Sequence, residues 1–134
     1  MPDTADLIAR YYAAFNQGDM DAMLDCLADE VRHEVNQGAV RHGKAAFAEF
    51  LAHMARCYRE LLSEIVVMTE PAGARAAAEF TVNGEYLATD EGLPEAAGQT
   101  YSLRAGTFFE VADGKITRVT TYYNLNDWIA QVSK

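Results

Sequence analysis

Residues 75–87 alternate in a way that dictates their surroundings. Ala78, Phe80, Val82 and Tyr86 fall on one side, and Glu79, Thr81, Asn83 and Glu85 on the other. A strand of this kind has one dry face and one wet face, as in an antiparallel sheet covered on one side only. Its neighbours in sequence are also strand-like. Leu62–Thr69 is rich in β-branched residues and is followed by the turn signal Pro71-Ala72-Gly73. Runs 100–111 and 115–124 flank Asp113-Gly114, a dipeptide suited to the positive φ angles of a tight hairpin. The segment between, 88–99, is an acidic, turn-rich loop containing Asp90-Glu91-Gly92 and Pro94.

The cover for the dry face comes from the first half of the chain. Leu7, Ile8, Tyr11, Tyr12 and Phe15 recur at helical spacing, which predicts a helix over 4–16 with Asp3 or Thr4 as its cap. Gly18 can end it in the left-handed conformation, and Asp19 can cap a short second helix carrying Met20, Met23, Leu24 and Leu27. Residues 30–35 alternate, with Val31, His33 and Val35 on one face, and Asn36-Gln37-Gly38 turns the chain. A third helix runs from Gly43-Lys44 to about Tyr58 along the stripe Phe47, Phe50, Leu51, Met54 and Tyr58. A short terminal helix over 126–132 is capped by Asn126 and packs Trp128 and Ile129 down. The predicted fold class is α+β: a curved antiparallel sheet wrapped around three N-terminal helices, forming a cone with an apolar pocket. At 134 residues the chain fits a single domain, 1–134.

Charge narrows the partners. With 20 acidic and 11 basic residues the formal net charge is −9, and no basic stripe offsets it. Nucleic acid and anionic membranes are therefore not expected partners, and an anionic substrate needs a local cationic feature inside the pocket. No apolar run approaches the roughly 18–20 residues that span a bilayer. The start, Met1-Pro2-Asp3-Thr4, lacks a signal-peptide pattern, so a cytoplasmic protein is expected. Cys26 and Cys57 read as reduced, buried helix residues, not spaced as a metal or redox pair.

Several strings resemble the nuclear transport factor 2-like superfamily, in its ketosteroid isomerase-related and SnoaL-like polyketide cyclase branch. They are Arg10-Tyr11-Tyr12-Ala13-Ala14-Phe15-Asn16-Gln17-Gly18-Asp19, Leu27-Ala28-Asp29-Glu30, Arg41-His42-Gly43-Lys44-Ala45-Ala46-Phe47, Phe80-Thr81-Val82 and Asp113-Gly114-Lys115-Ile116. The resemblance covers nearly the whole chain. It implies the cone fold, and among the activities of that superfamily are isomerisation, cyclisation and dehydration as well as plain binding or dimerisation. True ketosteroid isomerases use a first-helix tyrosine, a carboxylate base at the end of the first strand and a protonated aspartic acid on a later strand. Tyr11 matches the first, whereas the other two positions fall on Val35 and Gly106. That proton shuttle is therefore missing two of its three groups, and the chain is not a true ketosteroid isomerase.

Three polar residues remain as catalytic candidates. Tyr11 is either a core tyrosine or a donor to a ligand carbonyl. His33 shares a face with Val31 and Val35, and is either a hydrogen-bonded core histidine or a general acid or base. Arg104 shares the parity of Gly106 and Phe108, read as pointing into the cone. It is paired with Glu34, Glu110 or Asp90, or it holds a ligand oxyanion. Glu34 itself alternates outward unless a bulge turns it in. Asn124 follows Tyr122-Tyr123 where SnoaL-like proteins often carry an acid, and it either orients a substrate or caps a turn. With Phe15, Val35, Phe50, Phe80, Val82, Phe108, Tyr123 and Trp128 it makes up the expected substrate-binding lining, for which plain core packing is the alternative. His42 and His53 are read as surface residues. No metal motif, phosphate loop or nucleophile elbow occurs, so no metal or cofactor is expected.

The leading expectation is a cofactor-free proton-transfer enzyme acting on a small apolar carbonyl-containing ligand, in which His33 moves the proton and Tyr11 and Arg104 hold the oxyanion. The alternative is a non-catalytic ligand-binding or dimerisation module of the same fold. Tyr101, Phe109 and Tyr122, read as outward, predict a homodimer through the convex sheet face.

Overall fold

The computed structural model describes residues 3–134. Met1 and Pro2, part of the start read above as lacking a signal-peptide pattern, lie outside the described residues. The chain order is α1 (Thr4–Gln17), α2 (Met20–Asp25), β1 (Leu27–Val35), β2 (Arg41–His42), α3 (Lys44–Cys57), β3 (Tyr58–Thr69), β4 (Arg75–Tyr86), β5 (Thr100–Ala112), β6 (Lys115–Tyr123) and α4 (Leu125–Val132).

Local chemistry sets the boundaries. Asp3 caps α1 by accepting from the Asp6 N–H at 2.8 Å, and Gly18 closes it at φ 70°. Asp19 caps α2 through the Ala22 N–H. Asn124, not Asn126, caps α4 by accepting from the Asp127 N–H at 3.0 Å. The expectation was off by one element boundary, since the strand ends at Tyr123 and the helix begins at once. Between α3 and β3 there is no loop at all: Tyr58 both ends the helix and begins the strand.

The six strands form one open sheet in the order β2-β1-β6-β5-β4-β3. Most pairings are antiparallel, but β1 runs parallel to β6, with His33 opposite Val119 and Val35 opposite Thr121. The sheet is therefore mixed, not purely antiparallel. From β3 to β6 each strand pairs with its neighbour in sequence, across the long 87–99 segment as well as the short turns, whereas β1 finds its partner at the far end of the chain. A bulge between Ser63 and Val66, with Glu64 at φ 53°, bends the edge strand β3. Asn16 ties α1 to that strand, accepting from the Leu62 N–H at 2.8 Å and donating to its carbonyl at 2.9 Å.

The core lies between the helices and the concave sheet face. Ile8, Leu27, Val31, Phe47, Tyr86, Phe109, Ile116 and Val119 are almost fully enclosed. On β5 the inward set is Tyr101, Leu103, Ala105, Thr107 and Phe109. This reverses the parity read from the sequence. Arg104 and Phe108 face outward, and Tyr101 and Phe109 face the core. Phe80, opposite Ala105, sets the dry face for both strands. Among the described residues no helix is long and apolar enough to cross a membrane.

Candidate active site

A cavity of about 360 Å³ opens between α1, α3, the concave sheet face and the 88–99 loop. That is within the usual range for small-molecule sites. Of the residues expected to line it, Tyr11, Phe15, His33, Val35, Phe50, Phe80, Val82, Tyr123 and Trp128 do so. Three do not. Arg104 is solvent-exposed and pairs with Glu79 at 2.9 Å on the outer face, so its partner is none of Glu34, Glu110 and Asp90. Phe108 is 49% exposed on the same outer face and packs edge-on against Tyr122 at 5.9 Å. Asn124 is exposed and occupied as the α4 cap.

Tyr11 is buried, edge-on to Phe109 at 5.9 Å and to Tyr12 at 5.1 Å. Burial raises its pKa well above the ordinary phenol value, so it remains a proton donor throughout the physiological range. His33 sits between Phe47 and Phe50, with ring centroids at 4.4 and 4.6 Å. Burial first, and the nearby Arg41 charge second, push its pKa down to about 4. The imidazole is thus neutral at pH 7 and only a weak base. Its Nδ1 is buried without a hydrogen-bond partner. Glu34 faces the other way and accepts from the Thr120 hydroxyl at 3.0 Å.

The carboxylate that the sequence reading missed is Glu60. It lines the cavity from β3, the opposite edge region of the sheet from His33. Tyr101 donates its hydroxyl to Glu60 Oε2 at 2.5 Å. The reach is long, because Glu60, Gly84 and Tyr101 form one row across three strands. The Tyr101 ring lies over the bare Gly84: a Cβ there would sit 2.2 Å from it. Burial raises the Glu60 pKa, and the Tyr101 hydrogen bond opposes part of that rise. Burial and the Glu60 charge together raise the Tyr101 hydroxyl. Tyr123, also raised by burial and by Glu60, shares this end of the cavity. The available signal was parity: Leu62 is inward, so Glu60 and Tyr58 two and four residues earlier are inward too.

A hydrogen-bonded chain closes the mouth. Tyr58 donates to Asp90 Oδ2 at 2.7 Å, and His53 Nε2 lies 2.8 Å from Asp90 Oδ1. His53 is therefore a rim residue of the cavity, not a plain surface one. His53, Cys57 and Asp90 bring their ligand atoms within 4.8 Å of one another, a grouping that could in principle hold a metal ion. Yet Arg56 donates to His53 Nδ1 at 3.0 Å. An arginine is donor-only, so Nδ1 accepts and Nε2 carries the proton it gives to Asp90. In that tautomer Nε2 has no lone pair for a cation.

Comparison with known proteins agrees with this architecture. The SnoaL-like domain family matches residues 8–119. A candidate polyketide cyclase from Pseudomonas putida superposes with a TM-score of 0.97 at 59% identity, covering 98% of this chain and 99% of that one. A second candidate polyketide cyclase, from a Silicibacter species, gives 0.96 at 61% identity over 98% and 96% of the two chains. An LEH-like epoxide hydrolase of M. tuberculosis shares the fold at 18% identity, with a TM-score of 0.72 over 97% and 89%. No curated protein matches the chain. The family match over residues 8–119, with two relatives of about 60% identity across nearly the whole chain, makes this chain a member of the SnoaL-like domain family.

Proposed function

We propose that this domain is a cofactor-free enzyme that moves a proton on an apolar carbonyl compound, an isomerase, cyclase or dehydratase by reaction type. The observation that supports it is Glu60, a carboxylate set in an aromatic-walled cavity, held by the Tyr101 hydroxyl at 2.5 Å and with its pKa raised by burial. Desolvation makes an ionised carboxylate a stronger base, which suits removal of a proton from carbon next to a carbonyl. The electron pair moves onto the carbonyl oxygen. Glu60 then returns the same proton to another atom of the intermediate, so nothing is oxidised or reduced. Tyr11 and Tyr123 line the cavity with hydroxyls that burial keeps protonated, and these are the donors for the enolate oxygen. His33, neutral and weakly basic, cedes the proton-moving role to Glu60. Arg104, turned to solvent, has no part. The resemblance to candidate polyketide cyclases supports carbonyl chemistry of this kind. Val35 lines the cavity without a carboxylate at the position where the resemblance puts the ketosteroid isomerase base, and Gly106, matched to the protonated acid, lies on the outward parity of β5.

The test is proton–deuterium exchange at the α-carbon of 2-tetralone, a flat apolar ketone, followed by NMR in D₂O. The wild type should accelerate exchange, and Glu60→Gln should lose about 100-fold or more of that acceleration. Equal exchange by Glu60→Gln and the wild type would remove Glu60 from the mechanism. Binding of 2-tetralone without any exchange would favour the non-catalytic binding reading.

The partner reading is a second copy of this chain on the convex face. Met68, Ala77 and Phe108 lie in one row across β3, β4 and β5, with Tyr122 beside Phe108. Met68 and Phe108 are each 49% exposed. One apolar sheet face is complementary to itself under a two-fold axis.

A further inference from the structure

Arg41 is the cationic feature that the chain's net charge makes noteworthy. On the β1–β2 ladder it stands directly opposite His33, so the two side chains emerge on the same face. Both line the cavity. The Arg41 guanidinium lies 4.8 Å from the centre of the Phe50 ring, which also packs edge-on against His33. Arg32, Arg59, Arg104 and Arg118 all have carboxylate partners. Among the described residues no carboxylate lies within ion-pair distance of Arg41. His33 Nδ1, on a side chain 3% exposed, also has no partner.

A cavity cation without a counter-ion beside a buried ring nitrogen without a hydrogen bond is incomplete by the ordinary rules of satisfaction. Contact with the Phe50 ring positions the guanidinium and leaves its fork of N–H donors free for a planar anion. The other polar end of the cavity is Glu60, which would repel a carboxylate. The charge pattern thus has one sense: anion toward β1 and β2, reacting carbon toward β3.

We propose that Arg41 and His33 form an anion subsite, and that the substrate is an amphiphilic carbonyl acid whose carboxylate is held there. Arg41 takes the carboxylate oxygens through its guanidinium fork. His33, in its Nδ1–H tautomer, donates to one of them once its ring turns, since that nitrogen is closed off as the ring stands. Phe47 and Phe50 flank the apolar body, and a cavity of about 360 Å³ accommodates a skeleton of about two rings. The proposal rests on the proton-transfer reading only for what happens at Glu60; the anchor itself does not need it.

The test is calorimetric titration with two molecules of the same shape, 2-naphthoate and the neutral 2-naphthamide. The wild type should bind 2-naphthoate about tenfold or more tightly than 2-naphthamide, as expected for a charge-assisted pair. Arg41→Met should abolish that preference while leaving 2-naphthamide within about threefold of its wild-type affinity. Arg41→Lys should keep part of the preference, since the charge remains and the fork is lost. Glu60→Gln should keep or increase it, since the repelling carboxylate is removed. Equal binding of the two probes by the wild type, a preference that survives in Arg41→Met, or no binding of 2-naphthoate would overturn the subsite. If the preference behaves as stated while Glu60→Gln still exchanges protons normally, the proton-transfer reading falls and the subsite stands.

Discussion

Replacing Gly84 by alanine should damage the site from behind. In the native row the Tyr101 ring crosses residue 84 to bring its hydroxyl to Glu60. A Cβ at that position would lie 2.2 to 2.4 Å from three atoms of the Tyr101 side chain. Carbon contacts settle at about 3.5–4.0 Å, so the ring must move by about 1 Å or more. A 2.5 Å hydrogen bond does not survive such a shift. Overpacking of this kind costs about 1–3 kcal/mol, and a hydrogen bond to a charged group is worth about 1.5–3 kcal/mol. Gly84→Ala should therefore destabilise the domain by about 3–5 kcal/mol. At about 3 °C per kcal/mol for a chain of this size, Tm falls by about 10–15 °C. Urea unfolding of wild type, Gly84→Ala, Tyr101→Ala and the double variant closes a cycle. With Tyr101 truncated, the three contacts nearest the alanine Cβ at 84 are removed, so the coupling between the two sites should be about 2 kcal/mol or more. Coupling under about 0.5 kcal/mol would refute the proposed contact.

Two further outcomes follow from the geometry. The His33 pKa is lowered from 6.5 to about 4, so the stability that its neutral form contributes is full above pH 6.5 and is lost as pH falls through about 4. The loss is about 3 kcal/mol at most, and denaturation at pH 7, 5 and 4 should show a flatter profile for His33→Leu than for the wild type; parallel profiles would contradict the shift. Phe108→Glu should leave the fold within about 1 kcal/mol of wild-type stability, since the side chain is 49% exposed, and should convert dimer to monomer in sedimentation. A monomeric wild type, or a dimeric variant, would remove the convex face as an interface.

Most elements were legible because their signals are local. The stripe Leu7, Ile8, Tyr11 and Tyr12, the alternation at 78–86 and the Asp113-Gly114 turn each state their own conformation. The β5 error is instructive. Tyr101, Leu103, Ala105, Thr107 and Phe109 form the more apolar of the two alternating sets, and they are the buried one. Placing Gly106 inward by analogy with a family position reversed that parity and carried Arg104 and Phe108 with it. Glu60 was lost differently, in a gap left between a helix ending at Tyr58 and a strand starting at Leu62. The junction has no turn residues to mark it. The His53–Asp90 contact depends on a loop whose path no periodicity encodes. The β1–β6 pairing joins segments about 85 residues apart, and nothing in either strand names the other.

The missing loop between α3 and β3 has a further consequence. His53, Tyr58 and Glu60 are carried on one unbroken stretch of backbone, and the Cys57 carbonyl accepts from Leu87 and Ala88 across it. The far end of the 88–99 segment is moored by the Gly98 N–H to the Tyr86 carbonyl and by Gln99 to Val132. Between these moorings the 91–97 stretch carries Leu93 into the cavity wall. Glu60 and the mouth residues His53 and Tyr58 thus share one rigid piece of chain, whereas the rest of the entrance, 91–97, lies on another. Substitutions at 91–97 can therefore reshape the entrance without touching Glu60 or its hydrogen bond to Tyr101.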